Sequence, residues 1–360
     1  MDLKKYGFMP NMMPENAQGI PARITAVHKE RYELICEYGE TYGRLKKTEY
    51  FGGFEEFPTT GDFVLINYIP NGDSQITRTL PRKTFFSRRD PSPGRGEQAV
   101  ASNFDYVFII QSLNHDFNAK RLERYLALAW QSGGIPVVVL TKADLVDESV
   151  PYIRIVESCA MGVPVYAVSS KTGSGLNALS AYMSPGKTII FLGSSGVGKS
   201  SLVNALADED IMAVNGIRED DSKGRHTTTH RQLIMLKNSA MIIDTPGMRE
   251  LGMWDVSTGL GEAFADVEHY LGKCKFSDCK HQTEPGCAIK AAIANGELSR
   301  ERWKRYFRLK AEAKHSDDKA AFLRQKQERK KNIAKYNRQK KTGKKWGNSN
   351  FGMIDISRDV

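Results

Sequence analysis

The residue pattern with the most specific chemistry is a glycine-rich run that follows an apolar stretch, Thr188–Leu192. The run reads GSSGVGKS and matches GxxxxGK[ST] between a predicted strand and a predicted helix, the context that this motif requires. Its glycines let successive backbone N–H groups point at phosphate oxygens, and the helix N terminus adds the positive end of its dipole. We therefore predict a nucleotide phosphate site formed by Gly193, Ser194, Ser195, Gly196, Val197, Gly198, Lys199, Ser200 and Ser201.

Further groups are suited to the terminal phosphate and its metal ion. Lys199 can reach the β- and γ-phosphates, and the hydroxyl of Ser200 can bind Mg²⁺. Asp244 ends the apolar run Met241–Ile243, where a carboxylate is unfavourable unless it meets a metal ion or its water shell. Gly247 follows in the run DTPG, and its N–H can approach the γ-phosphate. The sequence thus predicts a magnesium–nucleotide site.

Two other runs, each placed after an apolar strand, are suited to reading the base. The run TKAD follows PVVVL, and the run SSK follows VPVYA. A carboxylate such as that of Asp144 can accept hydrogen bonds from both N1–H and N2–H₂ of guanine, a donor pair that adenine lacks. The stem of Lys142 can lie along the base, and the SSK backbone can donate to O6. Guanine is therefore favoured, with contacts from Thr141, Lys142, Ala143, Asp144, Ser169, Ser170 and Lys171.

Four metal-ligating side chains lie within fourteen residues: Cys274, Cys279, His281 and Cys287. Three thiols and one imidazole suit tetrahedral Zn²⁺ with no position open to water, which is the arrangement of a structural site. A region this short gains much of its folding free energy from the metal. Three basic residues, Lys275, Lys280 and Lys290, lie close to these ligands in sequence, which favours a surface that faces RNA.

Composition narrows the class of protein further. A length of 360 residues predicts two or three domains. Since no run of about 18 apolar residues occurs and the opening has no apolar stretch of signal-peptide length, we expect a cytoplasmic protein without a membrane span. Residues 321–346 hold eleven basic side chains and one acidic one, so they carry the whole net charge of +10. This predicts an RNA-anchoring arm, the alternative being a solvated charge run.

The pattern of elements predicts a multidomain chain. Alternating short runs between about residues 20 and 86 predict a small β-barrel of SH3 or OB type, and a linker rich in Pro, Gly and Arg follows at 88–98. Apolar strands that alternate with helices predict a mostly parallel sheet covered on both faces, closed by a hairpin at 232–243. The expected domains are an OB-like barrel with its linker (1–95), an α/β P-loop domain (100–255), a mostly helical zinc-binding domain (256–320) and a basic tail (321–360). Four barrel aromatics are candidates for stacking on bases, about half of them expected in the core: Tyr32, Tyr38, Tyr42 and Phe63.

The order of the motifs resembles a circularly permuted GTPase. In Ras-like GTPases the phosphate and switch elements precede the base-reading elements, whereas here TKAD and SSK come first. With a barrel before them and a cysteine cluster after them, the pattern resembles the RsgA (YjeQ, EngC) family over nearly the whole chain. Thr141 stands where many GTPases carry Asn, which predicts the loss of one polar brace behind the phosphate loop.

The resemblance implies a hydrolase that converts GTP and water to GDP and phosphate. Its members bind the small ribosomal subunit and its rRNA, assist late maturation of that subunit and are stimulated by it; we expect a cytoplasmic monomer. The resemblance assigns Thr228 to Mg²⁺ and the γ-phosphate, and His226 to the attacking water, beside Lys199. Met248 stands where Ras-type enzymes carry the water-positioning Gln.

Two alternatives remain at this point. A P-loop ATPase or kinase is disfavoured by Asp144 and by the lack of an obvious acceptor-substrate site. A non-catalytic RNA-binding module that holds nucleotide as a structural ligand is kept open by Met248.

Overall fold

The computed structural model describes residues 2–28, 31–46, 57–89, 97–212, 231–244 and 257–314. Five strands near the N terminus are β1 (Ile20–His28), β2 (Arg31–Cys36), β3 (Gly39–Leu45), β4 (Phe63–Asn67) and β5 (Asp73–Thr79). They pair in the order β1-β2-β3-β5-β4, and β4 pairs back with β1, so the sheet closes on itself. Among the described strands of this barrel, only β3 and β5 pair in parallel. The predicted OB-like barrel is confirmed.

The segment 88–98, expected to be a linker, begins and ends in paired strands. β6 (Phe85–Arg89) and β7 (Glu97–Ser102) form a two-stranded antiparallel sheet, with residues 90–96 between them outside the described part. Phe86 and Val100 are buried in the core of the following domain, 3% and 1% exposed. Burial of Phe86 and Val100 places β6 and β7 against the core of the following domain, so residues 88–89 and 97–98 of the predicted linker lie in paired strands.

The central sheet follows the predicted α/β pattern. Its strands are β8 (Tyr106–Ser112), β9 (Ile135–Thr141), β10 (Val165–Ala167), β11 (Thr188–Leu192), β12 (Gln232–Met235) and β13 (Met241–Asp244). They lie in the order β10-β9-β8-β11-β13-β12, all parallel except β12, which is antiparallel to β13. The predicted hairpin is therefore confirmed. Because the strands are parallel, their carboxyl ends meet at one edge, where the predicted nucleotide residues lie.

Helices cover this sheet and form most of the C-terminal region. They are α1 (Ala119–Gln131), α2 (Val150–Cys159), α3 (Lys199–Ala207), α4 (Ser257–Ala263), α5 (Ala265–Glu268), α6 (Ala288–Ala294) and α7 (residues 300–314). α1 begins where the sequence predicts, because Asn118 accepts hydrogen bonds from the backbone N–H groups of Lys120 and Arg121. Across the described ranges, we find no helix with the length and apolar character needed to cross a bilayer.

The barrel is joined to the central sheet through β1, which lies beside the edge strand β12. β1 pairs with β12 at Ala26 and Gln232. Arg23 of β1 is 1% exposed, and its guanidinium donates to the backbone carbonyls of Tyr6, Gly61 and Asn103 and to the Thr188 hydroxyl at the start of β11. Burial lowers the pKa of Arg23 to about 10, although nearby carboxylates oppose that shift. The Arg23 side chain therefore links the N-terminal segment, the barrel and the start of the central α/β domain.

The C-terminal region is held on α1 by a buried charge network. Arg302 of α7 donates to Glu123 of α1 at 2.7 Å and to both carboxylate oxygens of Asp266 at 3.0 Å. Arg305 also lies 2.8 Å from Glu123. A Cβ on Gly259 of α4 would lie 2.0 Å from the backbone carbonyl oxygen of Ala127, so only glycine permits this contact between α4 and α1. The C-terminal helices thus pack closely on the nucleotide-binding domain.

Candidate nucleotide and metal sites

The phosphate loop has the predicted strand–loop–helix setting. β11 ends at Leu192, and α3 begins at Lys199. Gly196 and Gly198 have φ of +73° and +91°, conformations that favour glycine. A Cβ on Gly193 would lie 2.7 Å from the carbonyl oxygen of Ile110, so the loop also needs glycine where it leaves the sheet. The Lys199 ammonium lies 2.6 Å from the Gly193 carbonyl and 2.5 Å from that of Ser194, folded over the loop where phosphates are expected.

Thr141 braces this loop from below. Its hydroxyl lies within hydrogen-bond distance of the Val197 carbonyl oxygen and 3.3 Å from that of Gln111, and the side chain is 1% exposed. The expectation that replacing Asn by Thr removes a polar brace was therefore wrong, because β9 brings residue 141 directly beneath the loop. Lys142 adds a second contact, since its ammonium donates to the Gly196 carbonyl at 2.8 Å. Two runs more than fifty residues apart in sequence thus form one structure.

The two base-reading runs also meet. Ala143 N–H donates to the Val168 carbonyl at 3.0 Å, and the Ser169 hydroxyl donates to Oδ1 of Asp144 at 2.6 Å. The hydrogen bond from Ser169 holds the pKa of Asp144 below its ordinary value, so the carboxylate stays ionised. Asp144 is otherwise exposed. An oriented, ionised carboxylate is the form that accepts two hydrogen bonds from a base.

An open hollow lies beside these loops. Its volume is about 470 Å³, and it lies between Ser170 and α3 together with the residues that follow that helix. The lining consists of Ser170, Ser201, Asn204, Ala205, Asp208, Glu209 and Asp210. The hollow therefore lies between the SSK run and the helix that follows the phosphate loop.

The remaining predicted nucleotide residues are only partly described. Asp244 ends β13, whose Ile243 pairs with Ile190 of β11, so it lies at the same edge of the sheet as the phosphate loop. The residues expected at the terminal phosphate, the metal ion and the attacking water lie outside the described residues, and these are His226, Thr228 and Gly247. Met248 and the basic tail lie outside them as well. Their predicted roles stay predictions.

Sequence reasoning missed a polar cluster beside the loop. Asp116 lies 3.4 Å from the Ser194 hydroxyl and forms an ion pair with Arg121 at 2.9 Å. These residues follow β8, the neighbour of β11, and the carboxyl ends of neighbouring parallel strands converge. Because β8 and β11 are neighbouring parallel strands, polar residues in the loop that follows β8 could have been predicted to lie beside the phosphate loop.

The four predicted metal ligands converge in the C-terminal region. The ligand atoms of Cys274, Cys279, His281 and Cys287 all lie within 4.8 Å of one another. The Nδ1 atom of His281 is 3.4, 3.7 and 3.4 Å from the sulfurs of the three cysteines in chain order, and the sulfurs of Cys274 and Cys287 are 4.0 Å apart. Ordinary Zn–S and Zn–N bonds in a tetrahedron give edges of roughly 3.5–3.8 Å. The donor set and its spacing therefore fit a four-coordinate ion.

Neighbouring groups hold the ligand loop in shape. Glu284 accepts hydrogen bonds from the backbone N–H groups of Lys280, Gln282 and Thr283 at 2.9–3.0 Å. The His281 ring packs edge-on against Trp303 of α7, with 5.3 Å between the ring centroids. The ligand cluster is thus tied to the same helix that binds α1.

The barrel aromatics divide between core and surface, as expected for about half of them. Tyr32 and Phe63 are buried, 5% and 2% exposed. Tyr38 and Tyr42 are 61% and 41% exposed, and the Arg31 guanidinium lies 3.7 Å from the centroid of the Tyr42 ring. Tyr38 also stacks on Tyr68 at a centroid distance of 4.6 Å. Only the exposed rings among these candidates are open to a base.

The fold and the site together define a P-loop GTPase in which the base-reading runs precede the phosphate loop. Residues 79–254 match the RsgA GTPase family, and residues 176–346 match the ABC transporter family; the overlap contains the phosphate loop. The chain is 44% identical over 340 residues to the small ribosomal subunit biogenesis GTPase RsgA 1 of Listeria innocua, covering 93% of this chain and 96% of that protein. It is 42% identical over 335 residues to RsgA of Methanosarcina acetivorans, covering 90% and 89%. This protein therefore belongs to the RsgA GTPase family.

Solved structures agree with this assignment. The structure of YjeQ from Thermotoga maritima is 26% identical with a TM-score of 0.60, and the match covers 81% of this chain and 96% of that one. The circularly permuted GTPase YloQ shares the fold with a TM-score of 0.58 at 23% identity, over 84% of this chain and 98% of that one. The alternative of an ATPase or kinase is not supported by the full-length relatives, which are named as GTPases.

Proposed function

We propose that this protein hydrolyses GTP while bound to the small ribosomal subunit and assists the late maturation of that subunit. The observation that carries the proposal is the joining of the base-reading and phosphate-binding runs: Thr141 and Lys142 bond to the phosphate loop, and Ser169 orients Asp144. The relatives named above as small ribosomal subunit biogenesis GTPases support the ribosomal partner.

The proposed roles follow from the groups at the edge of the sheet. Asp144 accepts from N1–H and N2–H₂ of guanine, the stem of Lys142 lies along the base, and the backbone of Ser169–Lys171 donates to O6. The backbone of Gly193–Ser201 surrounds the phosphates, and Lys199 neutralises charge on the β- and γ-phosphates. Ser200 and Thr228 are the proposed magnesium ligands, and Asp244 holds its water shell. Mg²⁺, when bound, neutralises charge that develops on the phosphates.

Water positioning needs a group other than residue 248. Methionine neither donates nor accepts a useful hydrogen bond, so we propose that His226 orients the attacking water, and that Gly247 donates its N–H to the γ-phosphate. We propose that RNA or protein of the subunit stimulates turnover by acting on the placement of His226 relative to the attacking water.

RNA binding is proposed for three surfaces. The barrel exposes Tyr38 and Tyr42 with Arg31 alongside, a combination that stacks on unpaired bases and attracts their backbone. Near the metal cluster, Lys275 and Lys280 of the ligand loop and Lys290 of α6 are exposed. The tail carries the net charge of the chain. We further propose one structural Zn²⁺ per chain, and a monomer that works in the cytoplasm, where its ribosomal partner is assembled.

GTP turnover with and without purified small subunits tests the proposal most sharply. We expect weak hydrolysis alone and strong stimulation by small subunits, with large subunits as the control. Lys199→Ala abolishes both activities, and His226→Ala keeps GTP binding but loses the stimulated turnover. If small subunits bind the protein without raising turnover, the non-catalytic RNA-binding alternative replaces this proposal.

A further inference from the structure

Ser194, the second residue of the phosphate loop, is held through both its backbone and its side chain. Its backbone carbonyl accepts a hydrogen bond from the Lys199 ammonium at 2.5 Å. Its hydroxyl donates to Oδ2 of Asp116 at 3.4 Å, and the side chain of the buried Tyr125 on α1 also forms a hydrogen bond with Ser194. A hydroxyl has one proton and two lone pairs, so it can donate to Asp116 and accept from Tyr125 together. Ser194 therefore connects the cation of the phosphate loop to two side chains outside that loop.

Asp116 is held in place by groups outside the phosphate loop. Its carboxylate accepts two hydrogen bonds from the Arg121 guanidinium, at 3.1 Å on Oδ1 and 2.9 Å on Oδ2, and its backbone carbonyl accepts from the same guanidinium. Its N–H donates to Oδ1 of Asn114 at 3.0 Å. A bidentate pair between a guanidinium and a carboxylate has a defined geometry. The carboxylate oxygen that faces Ser194 therefore has a fixed position.

The loop that carries Asp116 is anchored at both ends to β8, the strand beside β11. The side chain of Gln111 accepts from the Asn118 N–H at 2.9 Å and donates to the Asn118 carbonyl at 3.0 Å. Gln111 is fully buried, and its own backbone carbonyl lies 3.3 Å from the Thr141 hydroxyl. The loop 112–118 thus leaves the sheet at Gln111 and returns to the same side chain. Its position relative to the phosphate loop is set by the sheet.

We propose that Asp116 is a positioning residue for GTP hydrolysis, which acts through Ser194 on Lys199. By orienting Ser194, it keeps the carbonyl of that residue directed at the Lys199 ammonium and so fixes where this charge lies. The proposal rests on the function proposed above, which assigns Lys199 to the β- and γ-phosphates. Since charge develops on the phosphate oxygens in the transition state, a displaced ammonium should affect turnover more than nucleotide binding.

A double-mutant cycle tests whether Asp116 acts through Ser194. We expect Asp116→Ala and Ser194→Ala each to lower subunit-stimulated kcat about fivefold to tenfold, and the double variant to lower it no further than the larger single effect. The Kd values for GTP and GDP should stay within about threefold of wild type. Asp116→Asn keeps an oxygen that can accept from Ser194, so it should recover about half or more of the wild-type kcat.

The matched control is Asp105→Ala. Asp105 also accepts hydrogen bonds from charged side chains, those of Lys83 and Lys187, but it lies at the opposite end of β8. This variant should lose thermal stability and keep kcat. The inference is overturned by unchanged kcat in Asp116→Ala, by single effects that multiply in the double variant, by a rise in Kd as large as the fall in kcat, or by an equal fall in Asp105→Ala.

Phosphorus NMR of a bound non-hydrolysable GTP analogue supplies a readout that does not depend on turnover. Because a displaced ammonium changes the field at the phosphates, Asp116→Ala and Ser194→Ala should shift the β- and γ-phosphate resonances in the same direction. Asp105→Ala should leave them as in the wild type. Unshifted resonances in Asp116→Ala would also overturn the inference. A wild type that does not hydrolyse GTP, with or without small subunits, overturns the proposed function instead, and the resonances then decide the role of Asp116.

Discussion

A single hydroxyl explains how this chain keeps its phosphate loop rigid with threonine at residue 141. The Thr141 hydroxyl is buried and close to two carbonyl oxygens, those of Val197 and Gln111. A shorter side chain serves because the strand that carries it ends directly under the loop. The position of the Thr141 hydroxyl relative to the loop decides whether this hydrogen bond forms, and the residue type alone did not predict it.

Replacing this residue tests the brace. We expect Thr141→Val to lower GTP affinity several-fold and the free energy of unfolding by about 1–3 kcal/mol, because a buried carbonyl loses its donor. Thr141→Ser keeps the hydroxyl and should retain most of both quantities. Titration with a fluorescent GTP analogue and urea unfolding measure them. Equal behaviour of the valine and serine variants would contradict the brace.

Asp105 predicts a pH dependence of stability. Burial opposes its charge, yet the Thr188 N–H at 3.0 Å and the ammonium groups of Lys83 and Lys187 at 3.0 and 3.1 Å hold the pKa of Asp105 below its ordinary value. A lowered pKa in the folded state stabilises the fold fully above the ordinary Asp pKa of about 3.9, and this contribution is lost as pH falls through the folded value.

The measurement is urea unfolding of wild type and Asp105→Asn over a pH series. The difference in unfolding free energy should stay constant between about pH 5 and 8 and shrink below about pH 4. Asp147→Asn, at an exposed position, is the control and should show no such change. A difference for Asp105→Asn that stays constant down to pH 3 would show that the carboxylate does not stabilise the fold in this way.

At the scale of elements, α1 links the loop of Asp116, which lies beside the phosphate loop, to the C-terminal region that contains the Cys/His cluster. Its N-terminal end follows the loop of Asp116, which contacts Ser194, and its middle carries Glu123, which pairs with Arg302. Burial opposes the charge of Arg302, but Asp266 and Glu123 hold its pKa above the ordinary value. The paired carboxylates therefore stabilise a charge that burial alone would disfavour.

Replacing one member of this network tests how much the network contributes to the free energy of unfolding. Arg302→Met should lower the free energy of unfolding by about 3 kcal/mol, because it removes the ion pairs to Asp266 and to the buried Glu123, which then keeps only its pair with Arg305 among those described. Arg305→Met, whose side chain is 29% exposed, should cost only about 1 kcal/mol. Chemical denaturation measures both. Equal small losses would show that the network contributes little to stability.

Elements with a strong local pattern were predictable from the sequence. The cap at Asn118, the glycines of the phosphate loop and the alternating strands of the barrel each follow from neighbouring residues. The contacts that hold separate elements together were not predictable. They depend on Arg23 and Arg302, whose hydrogen-bond partners are distant in sequence. A charged residue in a strand or helix gives no local sign of such burial. Likewise, the pairing of β6 with β7 was not predicted, because Phe86 of β6 is buried in the core of the following domain, among residues distant in sequence.

At the scale of the whole molecule, the net positive charge lies near the C-terminal end of the sequence. The tail at 321–346 carries a net charge of +10, equal to that of the full chain, and the rest is neutral. A chain truncated after residue 320 should bind small subunits with a shallower dependence of log Kd on log salt, because fewer counterions are released from RNA. Its GTP affinity should not change. An unaltered salt slope would remove the tail from the RNA contact.

The central claim is that the permuted runs meet around one guanine nucleotide, and competition binding with Asp144→Asn tests it most directly. Wild type should bind GTP far more tightly than ATP or XTP. In the variant, GTP affinity should fall on the order of a hundredfold, since two charge-assisted hydrogen bonds are lost, and XTP should become the preferred ligand because the new amide can donate to its base. Wild type that holds ATP as tightly as GTP, or a variant with unchanged preference for GTP, would contradict the account.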